Sequence, residues 1–215
     1  LCLTIGKSNV SLLAYEVAMS GNVTLPRDTV PLFVDLAFQT NKWDVGALVA
    51  MLPDQLTSTF DGMDLDALLQ VSGNVVGNLD TVTLPEVDAN VMLSNGRFYA
   101  PSLLPYKVSP VNADLGFRID SLGRADIAVN QVAAKVGGSN LKVKGSVDDL
   151  LGSMFAKVNL SGNVDLPMLR YWIPDTVPLQ MDGDAKLSLD VNASLNDVVQ
   201  GRFSEMAVDG IVDVS

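Results

Sequence analysis

Gly6-Lys7-Ser8 has the ending of a phosphate-binding loop, in which backbone amides cradle phosphates and the lysine reaches the outer ones. That loop also needs a glycine five residues earlier, and Leu1 stands there. The related block Gly137-Gly138-Ser139 lacks the lysine, so both blocks are expected to be hairpin turns. Asp61, Asp64 and Asp66 form one acidic group, and Asp182 and Asp184 another. A calcium loop needs oxygen ligands at D-x-[DN]-x-[DN]-G spacing, and neither group follows it. Polar edges of exposed strands are expected instead, with Asp64 and Asp66 on one face. Asp148-Asp149 offers an acid and a base, but chain neighbours point apart. A place near a helix start suits Asp148 better. Tyr171-Trp172 could stack on a ligand, but a helix face pressed on a sheet explains the pair more simply. Asn-x-Ser/Thr occurs at Asn9, Asn22, Asn159 and Asn192, as the composition alone would produce, and no glycosylation is inferred.

Absences narrow the chemistry further. The chain has no histidine, which removes the usual general base and the commonest metal ligand. Its single cysteine, Cys2, can form neither an internal disulfide nor a CxxC site. No catalytic residue, metal site or cofactor is assigned, and the chain is not expected to be an enzyme. Fourteen Lys+Arg against 25 Asp+Glu give a net charge of −11, which repels nucleic acid and disfavours anionic membrane surfaces. Apolar residues at 48% and charged residues at 18% give a chain of 215 residues enough material for an ordered fold. No apolar run is long enough for a transmembrane helix, and no signal peptide is visible. The chain opens in what reads as a strand and is expected to be a fragment of a longer protein.

Most of the sequence alternates with period two, the signature of half-buried strands. Leu187, Leu189, Val191, Ala193 and Leu195 share one face, against Lys186, Ser188, Asp190, Asn192 and Ser194 on the other. The pattern recurs in Val34-Leu36-Phe38, Val87-Ala89-Val91-Leu93, Ala113-Leu115-Phe117-Ile119, Leu141-Val143-Gly145-Val147 and Val158-Leu160-Gly162-Val164. Such alternation predicts antiparallel strands. Turn signals at Ser94-Asn95-Gly96, Ser121-Leu122-Gly123 and Gly137-Gly138-Ser139-Asn140 are expected to separate them. Helices are expected at 44–52, with Asp44 as N-cap, and at 165–173, ended by Pro53 and Pro174. A turn or two is expected at 147–155.

The two helices expose a repeat. Asp44 precedes Pro53-Asp54 by nine residues, as Asp165 precedes Pro174-Asp175, and Asp61-Gly62 matches Asp182-Gly183 at the same offset of 121. Ser20-Gly21-Asn22-Val23 resembles Ser161-Gly162-Asn163-Val164, and Ile5–Val10 resembles Val136–Leu141. The block order is the same in both halves, which predicts stacked β-repeats. The expected organisation is a first repeat over 1–80, connecting strands over 81–129, a second repeat over 130–203 and a final strand over 204–215, in one continuous domain. The predicted fold class is mostly β: a curled antiparallel sheet, either an open groove or a sandwich, built from two repeats with two or three short helices.

Two short helices cannot cover such a sheet. Either its apolar faces close on each other, or it curls into a trough with an apolar lining, which would mark a binding surface. The candidate lining is Val34, Leu36, Phe38, Val91, Leu93, Leu115, Phe117, Ile119, Leu141, Val143, Leu187, Leu189 and Val191.

The blocks from Val136 to Val147 and from Gly162 to Leu169, with the long strand after Pro174-Asp175, resemble the AsmA family. In that family, GxSxLxVxGxV strands alternate with short DLxxL helices. The likeness covers roughly 130–200 well and 1–80 more loosely. It implies a Gram-negative envelope protein held in the periplasm by an inner-membrane anchor outside this fragment. It also implies a role in outer-membrane biogenesis, with a β-groove for acyl chains as in the TamB-like and chorein-like bridge lipid-transfer proteins. The partners so implied are phospholipid or other envelope lipid acyl chains and outer-membrane assembly proteins. The expected function is a non-enzymatic lipid-groove module. The alternative is a structural or adhesive β-repeat with a closed core and no lipid role.

Overall fold

A computed structural model describes residues 1–27, 30–51, 63–80, 83–101, 105–169, 182–199, 202 and 206–214. Its strands are β1 (Cys2–Leu12), β2 (Tyr15–Thr24), β3 (Leu32–Thr40), β4 (Trp43–Asp44), β5 (Asp64–Leu79), β6 (Glu86–Tyr99), β7 (Val108–Ile119), β8 (Ala125–Val136), β9 (Ser139–Asp148), β10 (Phe155–Asp165), β11 (Asp184–Ser194) and β12 (Ala207–Val214). Among the described residues three short helices interrupt them: α1 (Val45–Ala50), α2 (Leu166–Leu169) and α3 (Leu195–Val199). All the strands belong to one sheet whose order follows the chain, with every neighbour antiparallel; the two-residue β4 pairs beside β3 on the start of β5. The sheet is not closed: among the described residues β1 and β12 each have one neighbour and stand as free edges.

The alternation seen in the sequence produces this meander, because each long strand finds its partner across a short turn and no crossover is needed. Gly137-Gly138 turns β8 into β9, and Ser121-Leu122 turns β7 toward β8. Two other expected turns are corrected. Gly6-Lys7-Ser8 lies inside β1, where the register against β2 shifts between Ile5 and Ser8, and Leu13-Ala14 makes the hairpin. Ser94-Asn95-Gly96 lies inside β6, where Asn95 takes φ 55° and the register against β7 shifts between Leu93 and Gly96. In both places the glycine and polar residues supply a β-bulge, which keeps the chain in the ladder while adding one residue and a local twist.

The helices also differ in detail from the expectation. α1 begins after Asp44, whose Oδ1 accepts from the Ala47 N–H at 2.9 Å. α2 covers the start of the stretch expected at 165–173, and the remainder lies outside the described residues, as do Pro53, Pro174-Asp175 and Asp61-Gly62. α3 was not expected. Leu195 starts it rather than continuing β11, and the Asp197 N–H reaches the Ser194 hydroxyl at 3.4 Å, a weak cap. No helix starts at Asp148. It ends β9, and the chain turns through 150–153.

The repeat has mixed correspondence. The two SGNV blocks occupy like positions, toward the ends of β2 and β10. The block at Ile5–Val10 is a bulged strand, whereas the one at Val136–Leu141 is a hairpin, so those two are not equivalent. By register, α1 and α2 stand at the same rim of the sheet and α3 at the opposite one.

One layer of sheet leaves much surface open. The accessible area is 13622 Å² for 22.8 kDa, about 4,000 Å² above that of a compact monomer of this mass. The buried apolar residues are small: Ala67, Ala100, Ala125, Val136, Ala156, Val164, Ala185 and Ala193, joined by Met168. They gather near the strand ends and under the helices, not at the middle of the sheet.

Candidate functional site

Cross-strand register fixes which side chains share a face, because directly opposed residues in an antiparallel pair point the same way. One row runs Met19, Phe38, Gly73, Ala89, Phe117, Ile127, Val147 and Ala156. The row beyond the bulge of β8 runs Val132, Val143, Leu160, Leu189 and Gly210. All thirteen proposed lining residues stand on this one face: Val34, Leu36 and Phe38 on β3, Val91 and Leu93 on β6, Leu115, Phe117 and Ile119 on β7, Leu141 and Val143 on β9, and Leu187, Leu189 and Val191 on β11. Each is half-buried and none is sealed. Traced from β1 to β12, the face runs roughly 50 Å at the usual strand spacing.

The sequence reading left much of this face unnamed. Val17, Met19 and Val23 of β2, Val71 and Val75 of β5, and Val129 and Val132 of β8 belong to it. Period-two spacing in β2 and β5 was the available signal. In β8 the register shift between Val129 and Val132 swaps the parity, so simple alternation hides the continuity. A third SGNV block, Ser72-Gly73-Asn74-Val75 in β5, was the other signal missed.

Two glycines on this face show why residue type matters there. Gly21 and Gly162 take φ 145° and 151° in the middle of SGNV blocks. A β-carbon on either would lie 2.0 Å from a neighbouring strand's carbonyl oxygen, that of Asp35 or Asn140. Only glycine permits so close a backbone approach, and glycine kinks of this kind curve a sheet.

The described helices leave the face open. At one rim Met168 of α2 is buried over the β8–β9 hairpin, and Ser139 Oγ accepts from the Asp165 N–H at 2.9 Å. Ser139 is the one polar side chain on this face between β9 and β11, and it is fully buried at the rim. The charged side chains Lys142, Lys144, Lys157, Lys186 and Asp190 alternate with the apolar set and stand on the opposite face.

The titratable groups resolve into local structure. Arg97 spans Asp66, with Nη2 2.7 Å from Oδ2, and Asp64, with Nε 4.0 Å from Oδ2, so the two aspartates share a face as expected. Asp149, φ 56°, accepts from the Ser153 N–H and hydroxyl at 2.8 and 3.0 Å, so it caps a turn and is not half of an acid–base pair. Those bonds, led by the backbone N–H, hold its carboxyl below the ordinary range. The Arg124 backbone N–H does the same for Asp120, and the Arg202 side chain for Asp197. All three lie in turns or at a helix end. Among the described residues no group of three or more His, Cys, Asp or Glu is disposed to hold a metal ion. No described helix is long and apolar enough to cross a membrane. Cys2 is exposed and unpaired, and Tyr171-Trp172 lie outside the described residues.

Fold and face together define an open, single-layer antiparallel β-meander with one apolar and one polar side. No family model, curated protein or solved structure matches the chain.

Proposed function

We propose that the chain is a non-enzymatic lipid-groove module, whose apolar face shelters the acyl chains of a phospholipid or another envelope lipid. The observation that carries this reading is the continuous Val, Leu and Phe face, half-buried along its length and covered by no described helix. Each methylene laid on it would gain ~0.8 kcal/mol, so a dozen or so give the chain a real alternative to the bilayer. Among the described residues no second layer packs against the large side chains of this face, which favours this reading over the closed-core scaffold. The AsmA-like blocks at 136–147 and 162–169 agree with this reading, and would place the module in the periplasm, on a protein anchored in the inner membrane and working with outer-membrane assembly partners.

Lipid extraction and native mass spectrometry of the purified chain test it. Bound phospholipid is expected, with stoichiometry reduced severalfold by the pair Leu189→Asp and Val143→Asp, which stand on this face. A folded parent chain that carries no lipid and takes none from phosphatidylethanolamine–phosphatidylglycerol vesicles would remove the proposal.

A further inference from the structure

The polar side of the same sheet holds a cavity of about 750 Å³, within the ~300–1,000 Å³ range of small-molecule sites. It is a trench that crosses the strands from β3 to β9. One wall is the row Ala37, Asn74, Asp88, Arg118 and Asp126, joined by Asp148. The other is the row Gln39, Ser72, Asn90, Gly116, Ala128 and Ser146. Both rows have the parity opposite to the Val, Leu and Phe face. The second wall is low because Ser72, Gly116, Ala128 and Ser146 are small, and that is what opens the space.

The cations in the trench are already paired, against an excess of carboxylates. Arg118 lies 3.8 Å from Asp88 and 3.9 Å from Glu86. Lys157 lies 3.5 Å from Asp148, and Asp126 accepts from the Asp149 N–H at 2.8 Å. Among the described residues no uncommitted cation lines the space, which argues against a phosphate or carboxylate ligand. The polar side chains left without any hydrogen bond or ion pair are neutral. Gln39, Ser72, Asn74, Asn90 and Ser146 make no side-chain hydrogen bond to another described residue. Asn90 Oδ1 is buried and unpartnered, a costly state for an amide oxygen, and is closed to the trench as it is to solvent, so Asn90 offers a ligand only its Nδ2 donor. Amides and hydroxyls each donate and accept. A ligand that answers all five must do both without charge, and must tolerate an apolar strip where Gly116 and Ala128 form the floor.

From this we infer a second binding site, on the face opposite the acyl groove, that takes a neutral saccharide. Its hydroxyls pair with the amide and hydroxyl side chains, and the C–H face of a sugar ring rests on Gly116 and Ala128. The site does not depend on the lipid reading: its polar side chains have the parity opposite to the Val, Leu and Phe face, although Phe38, Gly73, Ala89, Phe117 and Ile127, the row between its walls, also border the trench. No aromatic ring stands in either polar row, so binding is weak.

Amide chemical-shift titration of the whole chain with maltotriose, cellotriose and chitotriose tests this, at concentrations of about 20 mM, enough to reveal a site of only a few kcal/mol. At least one trisaccharide is expected to shift the amides of Ser72, Asn74, Asn90, Gly116 and Ser146. Gly116→Val fills the trench: Gly116 has no left-handed φ, and a β-carbon there meets only Ala128, at 3.4 Å. It should weaken the response tenfold or more while the remaining spectrum stays native. Ala128→Leu is the second filler, should the first disturb the fold. Val143→Asp, on the other face, should leave the response unchanged. The inference is overturned if none of the three sugars moves these amides, if the shifts survive both fillers, or if inorganic phosphate alone moves them.

Discussion

Gly162→Ala tests the register on which both faces depend. Gly162 pairs with Leu141 on β9 and Leu187 on β11, and takes φ 151°. The added β-carbon would sit 2.0 Å from the Asn140 carbonyl oxygen, well inside the 3.0 Å below which such carbons essentially never approach. Two costs follow. An alanine held in this glycine-only region of backbone space loses ~1–3 kcal/mol. Relieving the clash pushes β9 from β10 and weakens one or two ladder hydrogen bonds, at ~0.5–1.5 kcal/mol each. The expected loss is about 2–5 kcal/mol, a large share of a typical domain's ~5–15 kcal/mol. Gly116→Ala is the matched control. It has an ordinary extended backbone, and its new β-carbon would meet only Ala128, at 3.4 Å, so the same chemical change should be neutral or stabilise by ~0.4–1 kcal/mol through the unfolded state. Urea unfolding followed by circular dichroism reads both variants. With a slope of about 2 kcal/mol/M, Gly162→Ala should lower the midpoint by about 1–2.5 M. A Gly162→Ala midpoint equal to the parent's, or a Gly116→Ala loss larger than that of Gly162→Ala, would refute the pairing of β9, β10 and β11 given above.

Acid should weaken the fold through Asp120, Asp149 and Asp197. Their carboxyls are held below the ordinary value of 3.8 by hydrogen bonds in the folded chain, so their contribution is present above that pH and is lost as pH falls through the lower folded values. Asp120→Asn should flatten the acid limb of a melting-temperature profile, and an unchanged limb would count against the turn at 120–124. Arg97→Ala should cost no more than about 1 kcal/mol, because both its partners are exposed, and the difference should shrink in molar salt. A larger or salt-independent loss in urea unfolding would mean that Arg97 packs rather than pairs.

The strands were legible because period two is a direct readout of a pleated backbone with unlike sides. Val34-Leu36-Phe38 and Leu187-Leu189-Val191 needed nothing more than spacing. What misled was punctuation. Gly6 and Gly96 carry the same turn-forming signal as Gly137, yet the first two bulge within strands and only the third reverses the chain. The difference is decided by partners across the ladder: β2 continues past Ile5, and β5 continues past Leu68, so the chain is kept in register rather than turned. Leu195 failed for a related reason, because alternation cannot report where a strand's neighbour stops. The polar trench was invisible for a third reason. It is made by residues from six strands that meet only through register, and Ser72, Gly116, Ala128 and Ser146 contribute by being small. Nothing local in the sequence marks a side chain that matters by its absence.

A groove for hydrocarbon must hold its cargo without pinning it, and the composition of the apolar face bears on that balance. From β9 to β11 its half-buried middle is Val, Leu and Gly, with no charged side chain. The lysines of these strands, Lys142, Lys144, Lys157 and Lys186, stand on the other side. Under the proposed function a lipid headgroup would therefore meet no fixed counter-ion on the face that takes its tail, and successive positions differ little in what they offer a methylene. Under the proposed function, affinity then scales with length of contact rather than with any one residue. Single apolar substitutions near the middle of the face should be tolerated, whereas a buried charge placed across it acts as a barrier, because the tail must cross a site where desolvating that charge opposes it. That is why the lipid test rests on introduced aspartates and not on alanines.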